Sequence, residues 1–114
     1  MKILIVENNP LMRRLIRGIV GDVAEVFECE DGVEALPLYE QHRPDWVLMD
    51  IRMQKLNGIE ATRQITAAYS EARVIIVTTY NDAGLRAAAR AVGACGYVLK
   101  EDLSVLRQML AAPP

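Results

Sequence analysis

Trp46-Val47-Leu48-Met49-Asp50 is a run of four apolar residues closed by a carboxylate, and three other stretches are built the same way. Ile3 to Val6 is followed by Glu7, Val74 to Val77 by Thr78, and Tyr97 to Leu99 by Lys100. Short unbroken apolar runs are the pattern of strands buried on both faces, as in a parallel sheet covered by helices. In an open parallel sheet the chain leaves every strand at the same edge, so these four polar residues are expected to share one crevice. Two carboxylates, a hydroxyl and an ammonium would meet there.

Working outward, the segments between the runs carry helical period, which gives five strand–helix pairs and an α/β class. Asn9-Pro10 reads as an N-cap with proline at the first helical position. An apolar stripe follows through Leu11, Met12, Leu15, Ile16, Ile19 and Val20, and Gly21 ends that helix. Val23 to Cys29 mixes glutamates among apolar residues and reads as an edge strand. Asp31 with Glu34 predicts a capping box for the second helix, where Pro37 must kink the helix or shift its start. Asn57-Gly58 with Glu60 opens the third helix, Asn81 or Asp82 the alanine-rich fourth, and Asp102 the fifth through Val105, Leu106, Met109 and Leu110.

At 114 residues and 52% apolar content, one core is expected, spanning residues 1–112, with Pro113-Pro114 as the start of a linker. A net charge of -2 with interspersed signs offers no basic face for a phosphate backbone, so direct nucleic-acid binding is not expected. No apolar stretch approaches membrane-spanning length, and the reading is cytoplasmic. Cys29 and Cys95 lack metal-type spacing and read as buried, reduced packing residues. His42 reads as an exposed polar residue, and Trp46 as a packing residue near enough to Asp50 to report on it by fluorescence.

The stretches ILIVENNP (3–10), VLMDIRMQKLNGIE (47–60), VIIVTT (74–79) and GACGYVLK (93–100) resemble, in order and spacing, the receiver domain of bacterial two-component response regulators. Among these, the likeness is to the type that precedes a helix-turn-helix output domain. The resemblance implies a flavodoxin-like doubly wound (βα)5 fold with sheet order 2-1-3-4-5. It also implies a switch in which a sensor histidine kinase presents phosphohistidine and Asp50 accepts the phosphoryl group. By resemblance, Mg2+ is held by Glu7, Asn8, Asp50 and the carbonyl of Arg52, Thr78 and Lys100 contact the phosphoryl oxygens, and Tyr97 is an aromatic switch. The readout face would be the fourth helix, fifth strand and fifth helix. A homodimer is compatible with it, and an output domain beyond Pro114 could bind DNA.

The chemistry suits these residue types. Phosphoryl transfer needs positioning and charge compensation more than covalent help, and a carboxylate can approach a phosphoryl anion only when cations offset the repulsion. Two departures from the family pattern stand out. Asn8 replaces a second acid, which removes one charge from the metal site, and Gln54 stands where proline is common. Arg52 and Tyr80, each two residues beyond Asp50 and Thr78, would flank the phosphoryl group and shield it from water. Two other functions compete with the switch: a phosphorylation-impaired receiver acting as a constitutive interaction module because of Asn8, and a small α/β phosphohydrolase. The last is disfavoured because Asp50 is followed by Ile51-Arg52, without an acid two residues on, and no P-loop is present.

Overall fold

The computed structural model describes residues 1–111, in which five strands form one sheet in the order β2-β1-β3-β4-β5. The strands are β1 Lys2–Val6, β2 Glu25–Cys29, β3 Trp46–Met49, β4 Val74–Thr78 and β5 Gly96–Leu99. All neighbouring pairs are parallel, so every strand ends at the same edge. The helices are α1 Pro10–Val20, α2 Ala35–His42, α3 Gly58–Ala68, α4 Ala83–Ala91 and α5 Val105–Leu110. Among the described residues no helix is long and apolar enough to cross a membrane. Residues 112–114, including the expected linker start, lie outside the described part.

Strand alternation divides the interior into two cores. Leu4, Val6, Val47, Met49 and Ile76 face one side with Tyr39, Ile65 and Ala89 of α2, α3 and α4. Ile3, Ile5, Leu48, Ile75 and Val77 face the other with Ile16 and Val20 of α1 and Leu106 and Leu110 of α5. Removing one of these side chains, as in Leu48→Ala, costs about 2–5 kcal/mol, a large share of a small domain's stability. β3, whose end leads directly into Asp50, is buried along its whole length, as is β4.

The expected caps form at three helices. Asn9 Oδ1 accepts from the backbone of Leu11 and Met12, Asn57 Oδ1 from Glu60, and Asp82 rather than Asn81 from Leu85. Elsewhere the structure corrects the sequence reading. Leu11 and Leu15 stand exposed, because α1 packs on the sheet only through Ile16, Val20 and the half-buried Met12 and Ile19. β2 starts at Glu25 because Val23 is still in the turn closing on Val20. Asp31 does not form a capping box with Glu34. It caps a single 3-10 turn, Gly32–Glu34, through Val33, and α2 starts after it. Pro37 is thereby placed in the first turn of α2, where its missing N–H has no intrahelical acceptor to lose.

The fifth helix also starts later than expected. Lys100–Asp102 make a second 3-10 turn, Asp102 accepts from the Ser104 hydroxyl, and buried Leu103 precedes α5 without a side-chain cap. The Lys100–Glu101 bond is trans. Cys29 is buried, and burial pushes its thiol up to about 12, with Glu34 adding to the effect. Cys95 is exposed instead of buried, since it lies just before β5 begins. His42 is half-buried, its ring stacked on Phe27 at 3.8 Å. Trp46 is buried beneath the Arg73 guanidinium, but it begins β3 while Asp50 follows its end, about 13 Å away. That distance removes Trp46 as a direct reporter on Asp50.

Candidate functional site

Register builds the site. Val6 pairs with Met49, so the next residues, Glu7 and Asp50, leave adjacent strands side by side. Thr78 pairs with Leu99, so Lys100 emerges next to Thr78 at the same edge. Lys100 Nζ lies 2.8 Å from Glu7 Oε1 and 3.3 Å from Asp50 Oδ1. The structure therefore joins three of the four strand-end residues in direct contact. Thr78 closes β4 fully buried, its Oγ1 accepting from the Tyr80 backbone at 3.2 Å, which leaves the hydroxyl hydrogen available to another acceptor.

The cluster is buried and its charge is unbalanced. Glu7 is 1% and Asp50 5% exposed, and one ammonium faces two carboxylates. Burial pushes the Asp50 carboxyl up to about 6, and the Glu7 charge adds to this, with Lys100 opposing both. Glu7 Oε1 has no aligned hydrogen bond despite its short ion pair with Lys100, while Oε2 accepts from the Asn9 backbone. Two buried carboxylates sharing one ammonium are costly unless a further cation or a proton offsets the second charge.

The backbone around Asp50 is held from three directions. Its Oδ1 accepts from Ile51 N at 2.9 Å, and its own N–H donates to Val6 O at 2.9 Å. Gly58, the first residue of α3, packs so closely that a Cβ there would stand 1.8 Å from the Asp50 carbonyl oxygen. No other residue fits without displacing the acid. Asp31 secures the loop between β3 and α3, its carboxylate accepting from Lys55 and Leu56 as well as Val33. Burial alone would raise that carboxyl, yet the amides, Lys55 foremost, outweigh it and hold it below the usual carboxylate range.

Two functional supports were missed in the sequence. Asp31 was read only as a cap, since nothing local shows that its acceptors are 24 and 25 residues away. Arg13 was not singled out, yet its Nη1 donates to the Glu7 carbonyl at 2.8 Å while Nε pairs with Glu28 on β2 at 3.3 Å. Its place in the first turn of a helix that follows Glu7 was the available signal. Arg52 and Tyr80, expected to flank the acid, do meet: the guanidinium sits over the Tyr80 ring at 4.6 Å. Tyr97 is half-buried and its hydroxyl donates to the Tyr80 carbonyl at 2.6 Å. Asn8 is exposed and lines a cleft with Asp31, Gln54 and Lys55.

A hard divalent cation fits this donor set. Among the described residues no three His, Cys, Asp or Glu side chains group closely enough to hold a metal by themselves. Mg2+ needs fewer protein charges than that, because it keeps several waters and takes one or two carboxylates with neutral oxygens. Glu7 and Asp50 supply the carboxylates, and with only the Lys100 ammonium between them they leave one negative charge that such an ion would offset.

Residues 3–111 match the family model of the response regulator receiver domain. The chain is 36% identical over 103 residues to the transcriptional regulatory protein DegU of Brevibacillus brevis, covering 88% of this chain and 44% of that protein. It is 37% identical over 100 residues to the chemotaxis protein CheY of Halobacterium salinarum, covering 87% of this chain and 83% of the relative. It thus spans less than half of the first relative and most of the second. Among solved structures, the CheX-CheY-BeF3-Mg complex from Borrelia burgdorferi matches with a TM-score of 0.89 at 25% identity, over 96% of this chain and 86% of that one.

Proposed function

The chain belongs to the response regulator receiver domain family, a family of signalling domains, and on that premise we propose that it is a phosphorylation-driven switch with Asp50 as acceptor. The observation that carries this is the contact of Lys100 with both Glu7 and Asp50 at the strand edge. A buried acid pair bridged by a single ammonium is short of positive charge, and an incoming phosphoryl group makes the shortage worse. Glu7, Asp50, the Asn8 amide and the Arg52 carbonyl would hold Mg2+. When bound, the ion supplies the missing charge compensation between carboxylate and phosphoryl oxygens.

The chain's own residues do the rest. An Asp50 carboxylate oxygen attacks the phosphorus of phosphohistidine on a sensor histidine kinase. The P–N bond breaks as the P–O bond forms, and the leaving imidazole keeps the bonding pair and takes up a proton. Lys100 stays with the phosphoryl oxygens, and Thr78 donates its hydroxyl hydrogen to one of them. Both contacts exist only in the modified state, which is the differential interaction a two-state switch requires. Arg52 stacked on Tyr80 covers the approach of water to the aspartyl phosphate. The signal would leave through α4, β5 and α5, acting in the cytoplasm on a partner or an attached output domain.

A second reading, a constitutive interaction module, is favoured by Asn8, which leaves two carboxylates where a metal would bind. One experiment separates the two. Incubation with Mg2+ and a small phosphodonor should give an acid-stable, base-labile adduct that is absent in Asp50→Asn. No adduct, and no beryllofluoride-dependent shift of the Thr78 and Tyr80 amide resonances, would establish the module instead.

A further inference from the structure

The backbone of β1 stays in the sheet as far as the Glu7 N–H and no further. That group donates to the Cys29 carbonyl on β2 at 3.1 Å, and the Val6 carbonyl accepts from Asp50 N on the β3 side at 2.9 Å. The Glu7 carbonyl is thus the first group beyond both ladders. It belongs to the peptide that joins Glu7 to Asn8, and rotation of that peptide would swing the Asn8 side chain while Glu7 stays on its strand.

Arg13 holds this carbonyl. It sits in the first turn of α1, its own N–H bonded to the Asn9 carbonyl at 2.9 Å, and its side chain is only 18% exposed. Nη1 donates to the Glu7 carbonyl at 2.8 Å, while Nε lies 3.3 Å from Glu28 Oε1 and Nη2 3.8 Å from Glu30 Oε1. Glu28 is held from its other side by Arg17. One guanidinium therefore spans from the carboxylates at the end of β2 to the first unpaired carbonyl of β1, a reach that a planar fork of donors provides and a single ammonium does not.

We propose that Arg13 is a positioning residue for the metal site: it sets the Glu7–Asn8 peptide against β2 and so places the Asn8 amide at the ion. The ion comes from the receiver reading above, whereas the backbone grip stands on the contacts alone. A neutral amide has no net charge to draw it to a cation, and its dipole attraction falls off faster with distance than that of a carboxylate. Its contribution depends on arriving already in place. Asn8 thereby makes Arg13 matter more than it would beside a second acid.

The test uses the 114-residue chain as wild type, Arg13→Ala, Arg13→Lys, Asn8→Ala, the double variant of Arg13→Ala with Asn8→Ala, and Arg14→Ala. Mg2+ affinity is read by isothermal titration. Removing a cation near a cation site would on charge alone tighten Mg2+, so a weakening isolates the positional effect. Arg13→Ala should weaken Mg2+ about three- to tenfold, the size of one lost hydrogen bond and no larger than the effect of Asn8→Ala itself. Arg13→Lys should recover part of that loss. Arg14, exposed and without a polar partner among the described residues, serves as the charge control, and its removal should not weaken Mg2+. In the Asn8→Ala background, Arg13→Ala should change Mg2+ affinity less than twofold, which a general loosening of the fold could not achieve.

In the metal-free protein, the Asn8 and Asn9 amide resonances should shift and exchange faster in Arg13→Ala, while β3 keeps its protection. Unchanged Mg2+ affinity in Arg13→Ala, equal weakening in both backgrounds, or a matching loss in Arg14→Ala would overturn the positioning role. Failure of wild type to bind Mg2+ would instead remove the receiver reading, and the metal-free Asn8 and Asn9 amides would still decide whether Arg13 sets the peptide.

Discussion

Asp50→Asn should make the metal-free protein more stable at neutral pH while abolishing phosphoryl uptake. The magnitude follows from the acid's surroundings. Its carboxyl is raised from 3.8 to about 6, by burial first and Glu7 second, and one pKa unit corresponds to about 1.4 kcal/mol. A folded-state value above the unfolded one means that the contribution to stability is complete below about pH 3.8 and is lost as pH rises through about 6. At pH 7 the ionised acid therefore destabilises the fold by about 3 kcal/mol, and at pH 4.5 by about 1 kcal/mol. Asparagine resembles the protonated acid in shape and charge. The gain on substitution should be about 1–3 kcal/mol at pH 7, because an amide beside Lys100 recovers less than a carboxyl would. For a domain of this size that is a rise of several degrees in Tm. Thermal melts of both proteins at pH 7 and pH 4.5, without divalent ions, measure it. A variant less stable than wild type at pH 7, or an advantage that does not shrink on acidification, would refute the electrostatic account of the cluster.

The same balance governs the metal. Mg2+ must displace the proton from Asp50, so its affinity should climb as pH rises through about 6 and level off above, which isothermal titration across pH 5 to 8 would record. Asn8→Asp should tighten Mg2+ by about one to two kcal/mol, on the order of five- to thirtyfold, measured by the same titration. Asp31→Ala should cost about 2–3 kcal/mol by leaving the amides of Val33, Lys55 and Leu56 without their acceptor, and amide exchange in the β3–α3 loop should quicken along with it. Arg52→Ala should shorten the lifetime of an aspartyl phosphate without changing its formation, as followed by loss of the radiolabelled adduct.

The strand ends were legible because sheet geometry turns one-dimensional spacing into adjacency. Four parallel apolar runs bring Glu7, Asp50, Thr78 and Lys100 to one edge, and the order 2-1-3-4-5, which the family resemblance implies and the structure has, makes Glu7 a neighbour of Asp50 and Lys100 of Thr78. Nothing comparable constrains side chains that cross between loops. Asp31 looked like a cap because a carboxylate before a helix usually is one, and in part it is. Its ties to Lys55 and Leu56 depend on how two loops lie at the sheet's edge, which no local pattern encodes. Leu11 and Leu15 misled for the opposite reason: helical period assigned them to the buried stripe, whereas the contact with the sheet is narrower than the stripe.

The residues that sequence reading missed are therefore of one kind. Arg13 holds the Glu7 carbonyl to β2, and Asp31 holds the loop beyond Asp50. Each fixes a neighbour of a residue expected to do the chemistry, and neither is at a strand end. A carboxylate that must meet a phosphoryl group at hydrogen-bond distance tolerates little backbone drift. Strands supply that rigidity up to their last paired residue, and beyond it the charged side chains of the loops and helices must take over. The division between what was readable and what was not thus coincides with the physical boundary where the ladder of backbone hydrogen bonds stops.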